Sequence, residues 1–203
     1  LHVRDFSAND TTVPAADRGK FKAFTYANTS GMMHLKALQQ AGLTVVQWLP
    51  VNDIASVKEV DCTTPAILAA AADAESQQAA VAAVKDSDCF NWGYDPLHYN
   101  APDGSYSSNA NDGKTRIKEM REAVQALHNA GLRVTIDVVY NHTPAAGPTD
   151  SKSTLDKIVP KYYHRYINGS VANSTCCANT ATENNMMEKL MIDSTKLWAS
   201  SYK

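Results

Sequence analysis

From Leu132 to Ile136, the start of a strand read over 132–139, the chain is apolar at most positions, β-branched at Val134, Thr135 and Ile136, and without clean alternation. Continuous hydrophobicity of this kind marks a parallel strand covered on both faces. Leu43–Leu49 reads the same way, with Gly42 before it and Pro50 at its exit. His2–Phe6 reads as a shorter strand, entered midway with no Met before it, as in a piece of a longer chain. Between the strands the period changes to helical. Met32, Leu35, Leu38 and Ala41 share one face of a helix over about 32–41, which Thr29 or Ser30 would cap. Ile117, Met120, Val124 and Leu127 share a face over 114–129, and Gly131 follows as a stop signal. A last helix over about 184–200 turns Met187, Leu190, Met191 and Trp198 inward.

Two stretches break this rhythm. Residues 55–90 form an insert in which the Ala-rich segment 65–84 has helical composition but a weak apolar stripe, hence a surface helix. Residues 91–113 are dense in Gly, Asn, Asp, Pro and Ser and read as a long loop. Another loop runs over about 140–182, with a helical turn near 155–159. The order β-α-β-insert-α-β-loop-α fits either a doubly wound sheet or part of a (β/α)8 barrel. The first βαβ unit is expected to cross right-handed. Both long loops would open at the carboxyl ends of the strands, where α/β enzymes place their chemistry. Loops of that length are uncommon without a task. No Gly-rich phosphate loop follows a strand, which counts against a nucleotide-binding fold.

Composition adds only exclusions. The 203 residues are 44% hydrophobic and 20% charged, with a formal net charge of −2. An ordinary core is therefore possible. No Lys/Arg block points to nucleic acid, and no apolar run approaches the roughly 20 residues of a membrane span.

Candidate chemistry falls in three clusters. Asp137, Asn141 and His142 close the strand at 132–139. Asp137 is its only acidic residue, either a structural tie for a neighbouring loop or a site group, and such a carboxylate needs a cation or several hydrogen bonds. Asn91-Trp92-Gly93-Tyr94-Asp95-Pro96 makes a stiff aromatic platform, since the residue before proline is held extended. Sugar rings stack on such surfaces while Asn, Asp and His bond their hydroxyls; a plug packed under a loop would look the same. Cys176-Cys177 is either two thiols or a vicinal bridge, whose Cα atoms sit about 3.8 Å apart where ordinary disulfides want 4.4–6.8 Å. Cys62 and Cys89 flank the insert and are either a staple or two separate thiols.

Together these motifs resemble the α-amylase superfamily. Asp137-Val138-Val139-Tyr140-Asn141-His142 is similar to its first conserved region. Asn91-Trp92-Gly93-Tyr94-Asp95-Pro96 is similar to the signature loop of the type I pullulanase and limit-dextrinase branch, with Phe90 where the branch usually has Tyr. Leu1–Ser7 looks like the first barrel strand and Leu49-Pro50-Val51 like the exit of the second; the Cys-Cys pair is similar to that of secreted bacterial members.

The resemblance implies the first three β/α units of a (β/α)8 barrel over 1–203, from a hydrolase of α-1,6 links in pullulan, amylopectin or limit dextrins. It implies a retaining two-carboxylate mechanism. The nucleophile and acid/base are expected beyond Lys203, so the piece alone should be inactive. Because the cut exposes an open strand edge, it should also be aggregation-prone. Substrate binding would fall to Tyr94, Asp95, His142, Asn91, Trp92, Cys176 and Cys177, with Asp137 and Asn141 in support. Tyr94 would stack under the sugar being cleaved, and His142 would bond its hydroxyls as charge develops. No cofactor is implied, though calcium is compatible; the partners would be a branched α-glucan or maltooligosaccharide and the remainder of the barrel. An extracellular or cell-surface location is implied. The alternatives are a noncatalytic amylase-like scaffold or glycan-binding module, and an isoamylase-type debrancher, against which the Trp92–Pro96 loop argues.

Overall fold

The strands Val45–Trp48 and Arg133–Ile136 lie side by side and parallel, Val45 opposite Arg133 and Trp48 opposite Ile136. The computed structural model that shows this describes residues 1–173 and 176–203. In chain order the elements are α1 (Val3–Ser7), α2 (Ser30–Gln40), β1 (Val45–Trp48), β2 (Asn52–Ile54), α3 (Ser76–Ala82), β3 (Pro96–Pro102), α4 (Gly113–Asn129), β4 (Arg133–Ile136), β5 (His142–Thr143), α5 (Leu155–Ile158), β6 (Tyr166–Ile167), β7 (Ser170–Val171), β8 (Ala178–Asn179) and α6 (Asn185–Ser201). Short 3-10 turns at Ala15–Asp17, Phe21–Thr25 and Gly104–Tyr106 complete it. Among the described residues the strands form four two-stranded sheets and no closed barrel.

The hydrophobic pattern holds where helices pack on the parallel pair. Trp48 is fully buried, its ring 5.1 Å from Phe24 and 6.0 Å from Phe21. Met120, Val124 and Leu127 of α4 close over it together with Met32 and Leu35 of α2, Leu132, Trp198 and Tyr202. Burying each such side chain contributes about 1.5–3 kcal/mol. The face of α4 is rotated from the expected one: Ala123 is buried and Ile117 is 41% exposed. Glu119 is buried as well, because its carboxylate accepts the backbone N–H and the hydroxyl of Ser108. Leu38 and Ala41 of the α2 stripe face out, and Leu190 and Met191 of α6 are only half-buried beside Met187 and Trp198.

Three expectations are corrected. Residues 3–7 are helical; only Leu1 behaves as strand, its N-terminal amine donating to Gln47 O and its carbonyl accepting from Leu49 N. His2 caps that short helix through Asp5 N, a local bond that outcompetes extension. The stretch 91–113 is not all loop: β3 runs antiparallel to β2 with shifted register. Its two prolines sit at its ends, Pro96 and Pro102, where a strand tolerates them. In the insert only Ser76–Ala82 is helical, and none of it is buried, so composition has no packing to extend it. The bridge Cys62–Cys89 staples the insert.

The long loop after β4 is tied down by small ladders, β5 with β8 and β6 with β7. It carries a single helical turn, Leu155–Ile158.

Candidate functional site

Because β1 and β4 are parallel, their carboxyl ends point the same way and the segments leaving them meet. After β1 the chain makes the β2–β3 hairpin. Asp103 accepts from Ile54 N at 2.9 Å, and Ala55 N donates to Asp95 O at 2.9 Å, so the hairpin's open end is fixed. The Asn91–Asp95 turn sits on that end. Asn91 organises it: its Oδ1 accepts from Gly93 N, its Nδ2 donates to Ser56, and its carbonyl accepts from His2 Nε2 at 2.8 Å. Gly93 has φ +96°, and a Cβ there would lie 2.6 Å from Pro50 O. The chain can pass only without a side chain. Tyr94 is thereby turned outward, 42% exposed, beside Trp92 at 64%. Asp95 is half-buried.

After β4, Asp137 N still donates to Trp48 O, so Asp137 is the last residue of the ladder. Its Oδ2 accepts from the Tyr94 hydroxyl at 2.6 Å. That bond raises the Tyr94 phenol above its ordinary range. The carboxylate is half-buried rather than enclosed and takes its hydrogen bond from a phenol.

His142 joins the same cluster. Its Nε2 lies 2.9 Å from Tyr94 O. A carbonyl only accepts, so Nε2 carries a proton there. Nδ1 is 3.3 Å from Asn141 Oδ1, and the Tyr99 hydroxyl donates to the His142 carbonyl at 3.0 Å. Asn141 is exposed and fixes the turn through its carbonyl, which accepts from Thr180 N. The structure thus brings together Tyr94, Asp137 and His142, the residues of two separate sequence clusters.

The third cluster arrives through β8. Cys176 and Cys177 form a vicinal disulfide, Cα–Cα 3.8 Å, and their sulfurs and a His142 ring nitrogen all lie within 4.8 Å of one another. Sulfurs bonded to each other offer no thiolate, so this trio does not fit a metal. A second acidic set, Asp53, Glu59 and Asp103, also lies within 4.8 Å. Its carboxylates are already engaged by His98, by Arg116 and Gly104 N, and by Ser105 with Ile54 N. A calcium ion wants such oxygens free, so the set does not fit one in this arrangement.

Sequence reasoning missed Tyr99, which props His142 from β3, and Asn100, which accepts from Ser194 Oγ while Ser194 accepts from Tyr140. Both lie in the strand that composition disguised as loop.

No family model matches the chain. Over its whole length it is 44% identical to Pullulanase 1, chloroplastic, of Arabidopsis thaliana, and covers 22% of that protein. All of it superposes on ligand-free PulA from Klebsiella pneumoniae with TM-score 0.92 at 38% identity, covering 23% of that chain. The Klebsiella pneumoniae pullulanase complexed with maltotriose gives TM-score 0.91 at 39% identity, again over all of this chain and 23% of that one. The chain therefore spans about a quarter or less of the length of the relatives it matches. The chain is thus similar over its whole length to pullulanases, and the α-amylase superfamily is the class that its motifs resemble. Within that class the chain is related throughout to the type I pullulanases, the branch its Asn91–Pro96 loop resembles.

Proposed function

We propose that this chain is the N-terminal, substrate-binding part of a (β/α)8 catalytic domain in a starch-debranching hydrolase of α-1,6-glucosidic links. The contact of Tyr94 with both Asp137 and His142 carries the reading. It fixes an exposed ring, a carboxylate and a protonated imidazole edge around one spot, which is what a sugar with an apolar face and flanking hydroxyls requires. Tyr94 and Trp92 supply the stacking surface, and Asn91 and Asp95 hold it. His142 stabilises charge as the glycosidic bond opens. Its Nε2 rests on the Tyr94 carbonyl in this structure, so a hydroxyl reaches the ring through its Nδ1 edge or by displacing that carbonyl. The Cys176–Cys177 bridge walls the site beside His142, and Asp137 with Asn141 orients it.

The retaining pair of carboxyl groups belongs to the remainder of the barrel, which also covers the open edge of β4. The resemblance supports a branched α-glucan or maltooligosaccharide as ligand and an extracellular or cell-surface setting. Calcium has no role assigned to the acidic set described above.

The test is pullulan hydrolysis by the full-length protein that carries this chain, followed by reducing-end release and by NMR of the anomer first formed. Maltotriose released with retained configuration is expected. Binding of pullulan without any release of reducing ends would instead identify a glycan-binding module on an amylase-like scaffold. The 203-residue chain alone should release none.

A further inference from the structure

Among its described residues the loop over 140–182 buries few apolar side chains, Leu155, Ala178 and Ala181. What it buries instead is polar. Asp156 and His164 have fully buried side chains. Asp156 accepts from Gly147 N at 2.6 Å, Lys161 N at 3.0 Å and the Tyr166 hydroxyl at 3.0 Å. These bonds outweigh burial and hold its carboxyl below the ordinary range. His164 Nδ1 is 3.3 Å from Asp156 Oδ1, in contact without a hydrogen bond. Its other nitrogen lies 2.7 Å from Thr143 Oγ1. That hydroxyl donates to Ala145 O at 2.8 Å, so it accepts from Nε2–H of His164.

Thr143 is the residue after His142, and it pairs with Ala178, the residue after Cys177. His164 itself bridges to Thr180 on the far side of Ala178. The Asp156–His164–Thr143 array therefore ends on the short β5–β8 ladder that sets the disulfide against His142. His142 is held independently from the other side, by Tyr94 O and Tyr99. β5 and β8 pair over two residues; β8 is held as well by Arg165 N on Asn179 O, Asn179 N on Ala172 O, and Thr180 on Asn141 O and Tyr140 O, and the array adds the side-chain tie that reaches β5 at Thr143 itself.

We propose that Asp156 and His164 are positioning residues that, through Thr143, fix the Cys176–Cys177 wall of the candidate site. They set how the glucan is held and leave the reacting groups alone. The proposal rests on the glucan-binding reading for its kinetic part, and on geometry alone for its structural part. Removing either partner leaves a buried polar group unmatched, which costs far more than an exposed contact.

The test uses the full-length protein with Asp156→Asn, His164→Gln, Thr143→Val and Thr143→Ser. The rate at which a phosphine reductant opens the Cys176–Cys177 bridge, read by thiol labelling and mass spectrometry, should rise at least about tenfold in the first three. That corresponds to about 1.4 kcal/mol of lost local stability. Thr143→Ser keeps the hydroxyl and should keep the original rate. On pullulan the first three should raise KM with kcat little changed. Unaltered reduction rates and unaltered KM in folded variants would overturn the proposal. If the Asp156 and His164 variants fail to fold, the Thr143→Val and Thr143→Ser pair decides: equal reduction rates overturn it, a difference supports it. If the unmodified protein does not act on pullulan, the proposed function fails, while the reduction rates still judge the array.

Discussion

The Tyr94 hydroxyl donates a 2.6 Å hydrogen bond to Asp137, linking residues 43 positions apart, one in the turn before β3 and the other at the end of β4. Each group has a second duty. Tyr94 presents its ring to solvent and its carbonyl to His142, and Asp137 ends the parallel ladder. Tyr94→Phe keeps the ring and removes the bond. It should lower stability by about 1 kcal/mol, the half-exposed carboxylate being rescued by water. Tyr94→Ala also removes the stacking surface, and affinity for maltotriose should fall at least about tenfold, since burying a large apolar side chain is worth about 1.5–3 kcal/mol. Calorimetric titration on the full-length protein separates the two; equal affinities would remove Tyr94 from the binding surface.

His142→Ala should act on kcat. A preorganised donor aimed at developing charge is worth about 10²–10³ in rate. Steady-state kinetics on pullulan should show kcat falling by that order while KM moves less. The opposite split would assign His142 to ground-state binding alone.

Gly93→Ala places a Cβ 2.6 Å from Pro50 O at a φ of +96°. Neither the backbone of Pro50 nor the left-handed conformation gives way cheaply, and a penalty of about 1–3 kcal/mol is expected. The platform moves with it, so thermal stability and maltotriose affinity should fall together. A variant with unchanged melting and binding would show that the turn is not constrained.

The β2–β3 hairpin beneath the platform should prefer acid. Burial pushes Asp103 up to about 6 from 3.8, and the hydrogen bond to Asp53 raises His98 above 6.5. Both groups bind their proton more tightly when folded. Their contributions are present below the ordinary values and are lost as pH rises through the folded ones. The melting temperature of Asp103→Asn relative to the unmodified protein should therefore improve between pH 4 and pH 6. His98→Gln should flatten the decline above pH 6.5. A difference that runs the other way would mean that the hydrogen bonds to Asp103 dominate its burial.

Much of the scaffold was legible because its signals are local. Continuous apolar runs mark β1 and the first half of the strand expected over 132–139, which ends at Ile136, and helical periods mark α4 and α6. The elements that were misread depend on partners far along the chain. β3 looks like loop by composition, and only its pairing with β2 makes it a strand. Residues 3–7 look like strand by composition, and a His2 cap makes them helix. The spacing of Ile117 points it inward, yet it is exposed and Ala123 packs into the core instead.

The sequence by itself determined the chemical groups of the candidate site and that Asp137 and His142 follow a strand. The motifs at Asn91–Pro96 and Asp137–His142 name an aromatic, a carboxylate and an imidazole in fixed local order. Only tertiary structure decided that Tyr94 bonds both Asp137 and His142, that the Cys176–Cys177 bridge stands beside them, and that Asp156 and His164 lie buried behind. Those relations join segments tens of residues apart, and a hydrogen bond over 3 Å is set by how the intervening chain packs, which no local pattern encodes.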